Sequence, residues 1–444
     1  MPSPLLPLAP EARARAKALL DFIDASPSPW HVVESATALL EAAGYRRLDE
    51  ADDWRLAPGA RHYVIRDGST LAAFRIGTAP LTQTGLRLVG AHTDSPGLRV
   101  KPQAAEAKGG WLRLGVEIYG GPILATFADR DLSLAGRVAV RAPRAPLGVD
   151  SRLVHFTAPL MRIPNLAIHL NRKVNEDGLK LDRQAALPPI LSAVEEGLPV
   201  ADRLTRLLAD AASVPAADLL GFELNVYDTQ PGAFFGPQQE FIADSQLDNL
   251  GSCHAALMAL LATDTDAPEA SAVCLLFDHE EVGSTSAKGA DGSFLDDVLE
   301  RIALCCDLGR ADYRRALARS MLVSADMAHA FHPGHAGAYD DQHRVHVNHG
   351  PVIKTNASQR YTSDGVSAGV FQLACERAGV PWQSYVQRSD MACGSTIGPL
   401  AASRLGLRSV DVGSPMWAMH SARESAGAAD HDAMCRALTE FFRA

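Results

Sequence analysis

Two adjacent glutamates, Glu280 and Glu281, follow an uncharged run, Ala272 to Phe277, in the stretch SAVCLLFDHEEVGS at 271–284. Neighbouring carboxylates repel each other unless a cation compensates them. The uncharged run reads as a fully buried strand, and Gly283 with Ser284 supplies the turn that ends it. Both acids therefore fall at a strand's C-terminal end, where open α/β sheets bind their ligands. On an extended backbone successive side chains point to opposite sides, so one glutamate could hold a metal while the other faces a water beside it. Taken alone, the pair is equally a solvated strand end.

Four further segments place a hard-metal ligand after an apolar run or at a helix start: His92 with Asp94 in LVGAHTD, Asp248 in SQLDNLGS, Asp326 in LVSADMAHA and His420 in MWAMHSARE. Each has an ordinary account. His92 could be a satisfied loop histidine, Asp248 the N-cap of a helix over 249–263, Asp326 the cap of the AHAFH turn, and His420 a helix-start residue. Together they supply two histidines, three carboxylate ligands and one spare glutamate. That set is what two zinc ions about 3.5–4 Å apart require: one bridging carboxylate, a few terminal ligands and a base. Asp94, two residues after His92, is placed to fix the imidazole's orientation.

The elements that must position these residues alternate. After Phe241 the pattern predicts helix 248–263, strand 271–277, helix 292–304, strand 320–324, helix 364–378, strand 408–411 and helix 426–443, hence an α/β fold whose mostly parallel sheet is flanked by helices. Upstream, helices are expected over 10–24 and about 32–43, the first with Pro10 in its opening turn. Short strands follow at 63–66, 70–76 and 85–90. The glycine-rich stretch from about 100 to 140, including WLRLGVEIYGG and LSLAGRVAV, reads as strands and hairpins. Residues 163–187 read as loop, and helical periodicity returns over 191–212. At 444 residues the chain exceeds what one core usually fills. The simplest organisation is an α/β domain built from 1–99 and 237–444, interrupted by a mainly β insertion at 100–236. That insertion looks better suited to association than to chemistry.

Composition narrows the partners. A formal charge of −10 with no offsetting basic block argues against nucleic acid and anionic membrane surfaces. Apolar stretches break well before the roughly 18 residues of a membrane span, and no secretory signal pattern is visible at the start. Seven cysteines without a C-x-x-C pair or disulfide-like spacing agree with a reducing, cytoplasmic location. The histidines at 332, 335, 343, 346 and 349 read as a solvated loop, because their spacing does not place four on one face.

The motifs HTD, LDN, HEEVGS, SADMAHA and MHSARE occur in this order, accompanied by SPSPWHVV (26–33), GAHTDSPGLRVKP (90–102), VEIYGG (116–121), IPNLAIHLNR (163–172), GPVIKTNASQRYTSD (350–364) and CGSTIGP (393–399). In these the chain resembles the M18 family of metalloaminopeptidases, the aspartyl aminopeptidase family, over almost its whole length. The resemblance implies a two-zinc peptidase domain interrupted by a mainly β dimerisation domain, assembled from dimers into a homododecamer, with peptides as substrates and manganese or cobalt as substitute ions. It further implies that Asp248 bridges both ions, that His92 and Asp326 complete one ligand set and Glu281 and His420 the other, and that Glu280 is the general base toward a metal-bridging water. Asp94 joins Glu280 in the catalytic group. Lys354, in GPVIK, is the implied partner of an N-terminal Asp or Glu side chain, and His169, in LAIHL, matches a residue reaching a neighbouring subunit's site.

From sequence alone His169 is a polar residue alternating in a strand, and Lys354 an exposed strand lysine. The alternatives to an acid-preferring aminopeptidase are a family member preferring neutral N-terminal residues, a related two-zinc amide deacylase, and a non-catalytic shell protein. Departures from the family pattern at FADRDLS, 332–350 and RSDMACGST touch no implied zinc ligand.

Overall fold

The computed structural model describes residues 6, 8–194, 199–263 and 268–444. Its centre is a nine-stranded sheet. In spatial order the strands are Arg46–Leu48, Arg61–Arg66, Thr70–Arg75, Ser271–Phe277, Leu86–His92, Met321–Ala325, Arg408–Gly413, Val352–Thr355 and Gln383–Val386. Five of the eight neighbouring pairs are parallel, including all three joining the four central strands Ser271–Phe277, Leu86–His92, Met321–Ala325 and Arg408–Gly413. Ser271–Phe277 is buried at every residue, as an uncharged run with helices on both faces must be.

Alternation along that strand divides the core in two. Ala272, Cys274 and Leu276 pack on one side with the helices Pro10–Asp24, Pro29–Ala42, Leu247–Ala262, Gly365–Ala378 and Asp430–Arg443. Val273, Leu275 and Phe277 pack on the other with Phe294–Cys305, Arg310–Arg319 and Ile397–Leu405. Each fully buried Leu or Phe contributes about 1.5–3 kcal/mol relative to exposure.

A second sheet of six antiparallel strands runs in the order Val149–His155, Leu132–Arg141, Leu219–Asp228, Gly97–Lys108, Trp111–Tyr119 and Ile190–Ala193. The helix Val200–Ala212 covers it through Leu204, Leu208 and Ala212. A small five-stranded sheet pairs Phe241–Asp244 with Glu424–Gly427, and Glu424–Gly427 in turn with Pro415–Trp417, which brings the MHSARE segment back to the start of Leu247–Ala262.

The predicted helices after residue 241 form within a few residues of their expected bounds, but 424–427 is strand and the last helix starts at Asp430. The helical reading of 191–212 divides: Ile190–Ala193 is a strand, Val200–Ala212 is helix, and 195–198 lie outside the described residues. The 163–187 stretch is turns and loop apart from a single turn of α-helix at Val174–Asp177. Within it His169 sits on an exposed turn and not in an alternating strand. Helical turns spread successive side chains, so the apolar neighbours Leu166, Ile168 and Leu170 are exposed with it.

Candidate active site

Leu86–His92, Ser271–Phe277 and Met321–Ala325 are parallel neighbours, with His92 in register opposite Phe277. Their C-terminal ends therefore open on one edge of the sheet, and the residues that follow them, Glu280, Glu281 and Asp326, converge on His92. Asp248 arrives from the start of Leu247–Ala262 and His420 from the loop between Pro415–Trp417 and Glu424–Gly427. Several of the delivering segments turn through left-handed backbone: Gln246 (φ 56°), His279 (φ 66°), Ala418 (φ 55°) and His420 itself (φ 69°). Such a conformation costs a non-glycine residue roughly 1–2 kcal/mol, and it is held here by the packing around the site.

Two ordinary accounts fail on this geometry. Asp248 is not an N-cap, since Gln246 occupies that position and no side chain caps the helix; Asp248 and its neighbour Asn249 have non-helical backbone. Glu280 and Glu281 are not on an extended backbone either. They open a 3-10 turn, Glu280–Val282, whose tight rotation and not a pleat separates the two side chains.

The two oxygens of Asp248 face two different groups. His92 Nε2 lies 3.5 Å from Asp248 Oδ1 and 3.5 Å from Asp326 Oδ1. His420 Nε2 lies 3.3 Å from Asp248 Oδ2 and 3.6 Å from Glu281 Oε1. Ligands bound at about 2.0–2.2 Å around a tetrahedral ion stand roughly 3.4 Å apart, so each group has the spacing of side chains that share one cation. Ligand atoms of His92, Asp248 and Glu281 also lie within 4.8 Å of one another. Asp248 is buried, and its Oδ1 has no hydrogen-bond partner among the described residues. An unpaired buried carboxylate oxygen is costly, and a metal ion is the partner these donors suit. Glu280 Oε2 stands 3.9 Å from His92 Nε2, the longest of these separations.

Hydrogen bonds behind the cluster fix it. His92 Nδ1 donates to the Asp94 carbonyl at 2.9 Å, which leaves its Nε2 facing the carboxylates. Asp94 is fully buried; its Oδ1 accepts the Glu280 N–H at 3.1 Å, and its Oδ2 accepts the Glu281 N–H at 3.1 Å and the Tyr119 hydroxyl at 2.7 Å. Asp94 thus orients both glutamates as well as the histidine. Glu424, also buried, accepts the backbone N–H of Asp248 at 2.9 Å and that of His420 at 2.6 Å, tying two cluster segments together. Sequence reasoning quoted MHSARE for its histidine and missed this glutamate, whose role runs through backbone groups. The β insertion also reaches the cluster, through Tyr119 at the end of Trp111–Tyr119 and Gly121 just after it, Gly121 accepting from His420 Nδ1 at 3.1 Å.

Charge is concentrated here. Burial pushes the Glu280 carboxyl up to about 8; His92 pulls against this, and Asp326, Asp94 and Asp248 add to it. Burial, then the Asp248 charge, raises Glu281 well above the usual carboxylate range. Burial would also raise Asp326, but Lys354 and His92 outweigh it and hold Asp326 below its ordinary value. Burial would depress His92, yet its carboxylate partners, Asp326 foremost, lift it well above its ordinary value.

The cluster floors a cleft of about 510 Å³ whose walls include His329, Lys354, Arg360, Tyr361, Ser395 and Thr396. Lys354 is not the exposed lysine its strand suggested: it is 2% exposed, and Nζ donates to the carbonyls of Asp326 and Met327 at 3.2 Å each. His169 is not brought to this cleft within its own chain.

Imidazoles and carboxylates converging beside a cleft, at the carboxyl ends of parallel strands, define a metal-dependent hydrolase centre. The signature of the family described as aminopeptidase I zinc metalloprotease (M18) matches residues 22–442. The chain is 49% identical over 427 residues to a probable M18 family aminopeptidase 2 of Pseudomonas entomophila, covering 96% of this chain and 97% of that one. Among solved structures it is similar to that of the Ape4 and Nbr1 complex, with a TM-score of 0.93, 37% identity and coverage of 98% of this chain and 86% of that chain. It is also similar to the Saccharomyces cerevisiae mApe1 dodecamer, with a TM-score of 0.84, 26% identity and coverage of 98% and 97%. The chain belongs to the M18 family of zinc aminopeptidases.

Proposed function

We propose that this M18 enzyme is a two-zinc aminopeptidase that removes N-terminal residues from peptides, with a preference for Asp or Glu. The observation that carries the reading is the split environment of Asp248, one oxygen facing His92 and Asp326 and the other facing His420 and Glu281. Asp248 would bridge the two ions, and each imidazole–carboxylate pair would complete one ligand set. When bound, the ions would polarise the scissile carbonyl and lower the pKa of water in the site.

Glu280 has its carboxylate in the cleft and its backbone N–H on Asp94, while Asp94 holds no place in either ligand pair. Glu280 takes a proton from the attacking water and returns it to the departing amine nitrogen, the general base and acid of the reaction. Asp94 keeps His92 and both glutamates in register for that transfer. The cluster's acids also suit a free α-ammonium group, which restricts cleavage to the first peptide bond.

Lys354 supports the acidic preference, because its ammonium group lines the cleft and two carbonyls leave it one N–H to donate. The same two carbonyls, with Asp326 Oδ2 at 3.6 Å, favour a second reading in which Lys354 is a support for Asp326 and the enzyme prefers neutral residues. Assembly into a homododecamer built from dimers is proposed from the dodecameric yeast relative and from the exposed Leu166, Ile168 and Leu170 around His169, which would meet a neighbouring subunit. A cytoplasmic setting is proposed from seven cysteines that are all free thiols; among the described residues no helix is long and apolar enough to cross a membrane.

The deciding experiment is a panel of aminoacyl anilides and N-acetylated analogues, assayed after chelation and after repletion with zinc, manganese or cobalt. Free-amine Asp and Glu anilides should turn over fastest, with activity lost on chelation and two zinc ions regained per subunit. Fastest turnover of Leu anilide would replace the acidic preference by the neutral one. Hydrolysis of acetylated substrates alone would overturn the aminopeptidase reading.

A further inference from the structure

We infer that the β insertion is part of the metal centre, with Tyr119, Gly120 and Gly121 acting as positioning residues for the Glu281–His420 ligand pair. The inference rests on the two-ion reading above. The strand Trp111–Tyr119 ends where the second sheet meets the carboxyl edge of the first, and each residue of the following turn engages a different part of the cluster.

Tyr119 is buried, and Arg99 lies over its ring at 3.6 Å, which fixes the phenol in place. Its hydroxyl donates to Asp94 Oδ2 at 2.7 Å, the oxygen that accepts the Glu281 N–H. Gly120 lies directly against Glu281. In its left-handed conformation (φ 66°) a Cβ there would stand 3.1 Å from Glu281 Cβ and 3.3 Å from Glu281 Oε2, so a side chain there is strained and pushes Glu281 aside by a few tenths of an ångström. Gly121 offers its carbonyl to His420 Nδ1 at 3.1 Å, which places the proton on Nδ1 and turns the Nε2 lone pair toward Asp248 and Glu281.

The clamp continues along the same segment. The Ile123 N–H donates to the His420 carbonyl at 2.8 Å, and the Ala422 N–H donates to Thr126 Oγ1 at 2.8 Å. The segment 119–126 of one unit therefore grips 420–422 of the other. The His92–Asp326 pair has no such contact from the insertion among the hydrogen bonds described for it.

This asymmetry gives the test. Tyr119→Phe and Gly120→Ala are made in the full chain, and zinc affinity is measured by chelator competition, with ion counts by mass spectrometry. Tyr119→Phe should weaken zinc binding by about 10–100-fold. Gly120→Ala should leave close to one ion per subunit under conditions where the wild type holds two. Activity of Tyr119→Phe should return toward wild type as free zinc is raised, which a general packing defect would not allow. Gly109→Ala is the control: Gly109 lies in the turn joining Gly97–Lys108 to Trp111–Tyr119 and also has positive φ, but nothing lies within 4 Å of a Cβ there. Its zinc affinity should be unchanged. Two ions at wild-type affinity in both Tyr119→Phe and Gly120→Ala would overturn the inference, as would equal losses in Gly109→Ala. A wild type that binds no second ion would instead overturn the two-ion reading beneath it.

Discussion

Stripping zinc from this enzyme should reverse the usual effect of acid on a carboxylate-rich protein. In the metal-free protein burial raises the Glu280 carboxyl from 4.5 to about 8, so the folded chain holds a proton that the unfolded chain has released. Its contribution to stability is complete below about pH 4.5 and is lost as pH rises through 8. At about 1.4 kcal/mol per pH unit, the gap corresponds to about 5 kcal/mol in all, of which about 3–4 kcal/mol disappears between pH 5 and 8. Glu281, raised by burial and then by the Asp248 charge, titrates in the same direction. His92, raised above its ordinary value, titrates in the same direction, while Asp326 and Asp94, both lowered, act only at more acidic pH. Urea denaturation of chelated protein at pH 5, 6, 7 and 8 should therefore show a falling midpoint. Glu280→Gln, which cannot ionise, should make that fall shallower, and saturating zinc should reduce it further, leaving the part due to buried acids outside the cluster such as Asp430, raised to about 8 by burial. Metal-free stability that stays level or rises from pH 5 to 8, or a Gln variant that keeps the whole slope, would refute the electrostatic account of the cluster.

With zinc bound, Glu280→Gln should lower kcat by about 10²–10⁴-fold at an unchanged ion count; turnover close to wild type would remove Glu280 as the base. Lys354→Ala should cost an Asp anilide far more kcat/KM than a Leu anilide, and equal losses would assign Lys354 to the support of Asp326 alone. Glu424→Ala leaves the N–H groups of Asp248 and His420 unpaired, at about 1–3 kcal/mol each, so the denaturation midpoint of the chelated protein should fall; no change would show that water replaces the carboxylate.

The sequence carries the first layer of this site openly. Ser271–Phe277 is legible because seven uncharged residues admit no exposed face, and the acids that follow it are then bound to lie at a sheet edge. Pro10–Asp24 is legible from its spacing and its Pro at the first turn. Arg310–Arg319 was missed because RADYRRALAR buries only Tyr313, Ala316 and Leu317, too few for an apolar stripe to stand out among its charges. Val352–Thr355 and Gln383–Val386, of four residues each, are too short to show a period. The supports of the cluster were missed for a different reason. Glu424 acts on N–H groups, which every residue except proline carries, and Gly121 acts through a carbonyl, so neither contact leaves a mark in side-chain type. Asp248 misleads in the opposite sense, since an acid at a helix start is the ordinary signature of a cap.

The cluster draws on residues from His92 to Glu424, so its parts leave the ribosome at widely separated times. A chain of which only the first 400 residues have emerged has His92, Asp248, Glu280, Glu281 and Asp326 but not His420, nor the carboxylate that ties Asp248 to it. Domains settle as they are made, and contacts this distant in sequence close last. A chain of that length thus lacks one imidazole of the cluster and the carboxylate that ties two of its segments together, so the cleft's floor is completed only by about the last 25 residues of the protein.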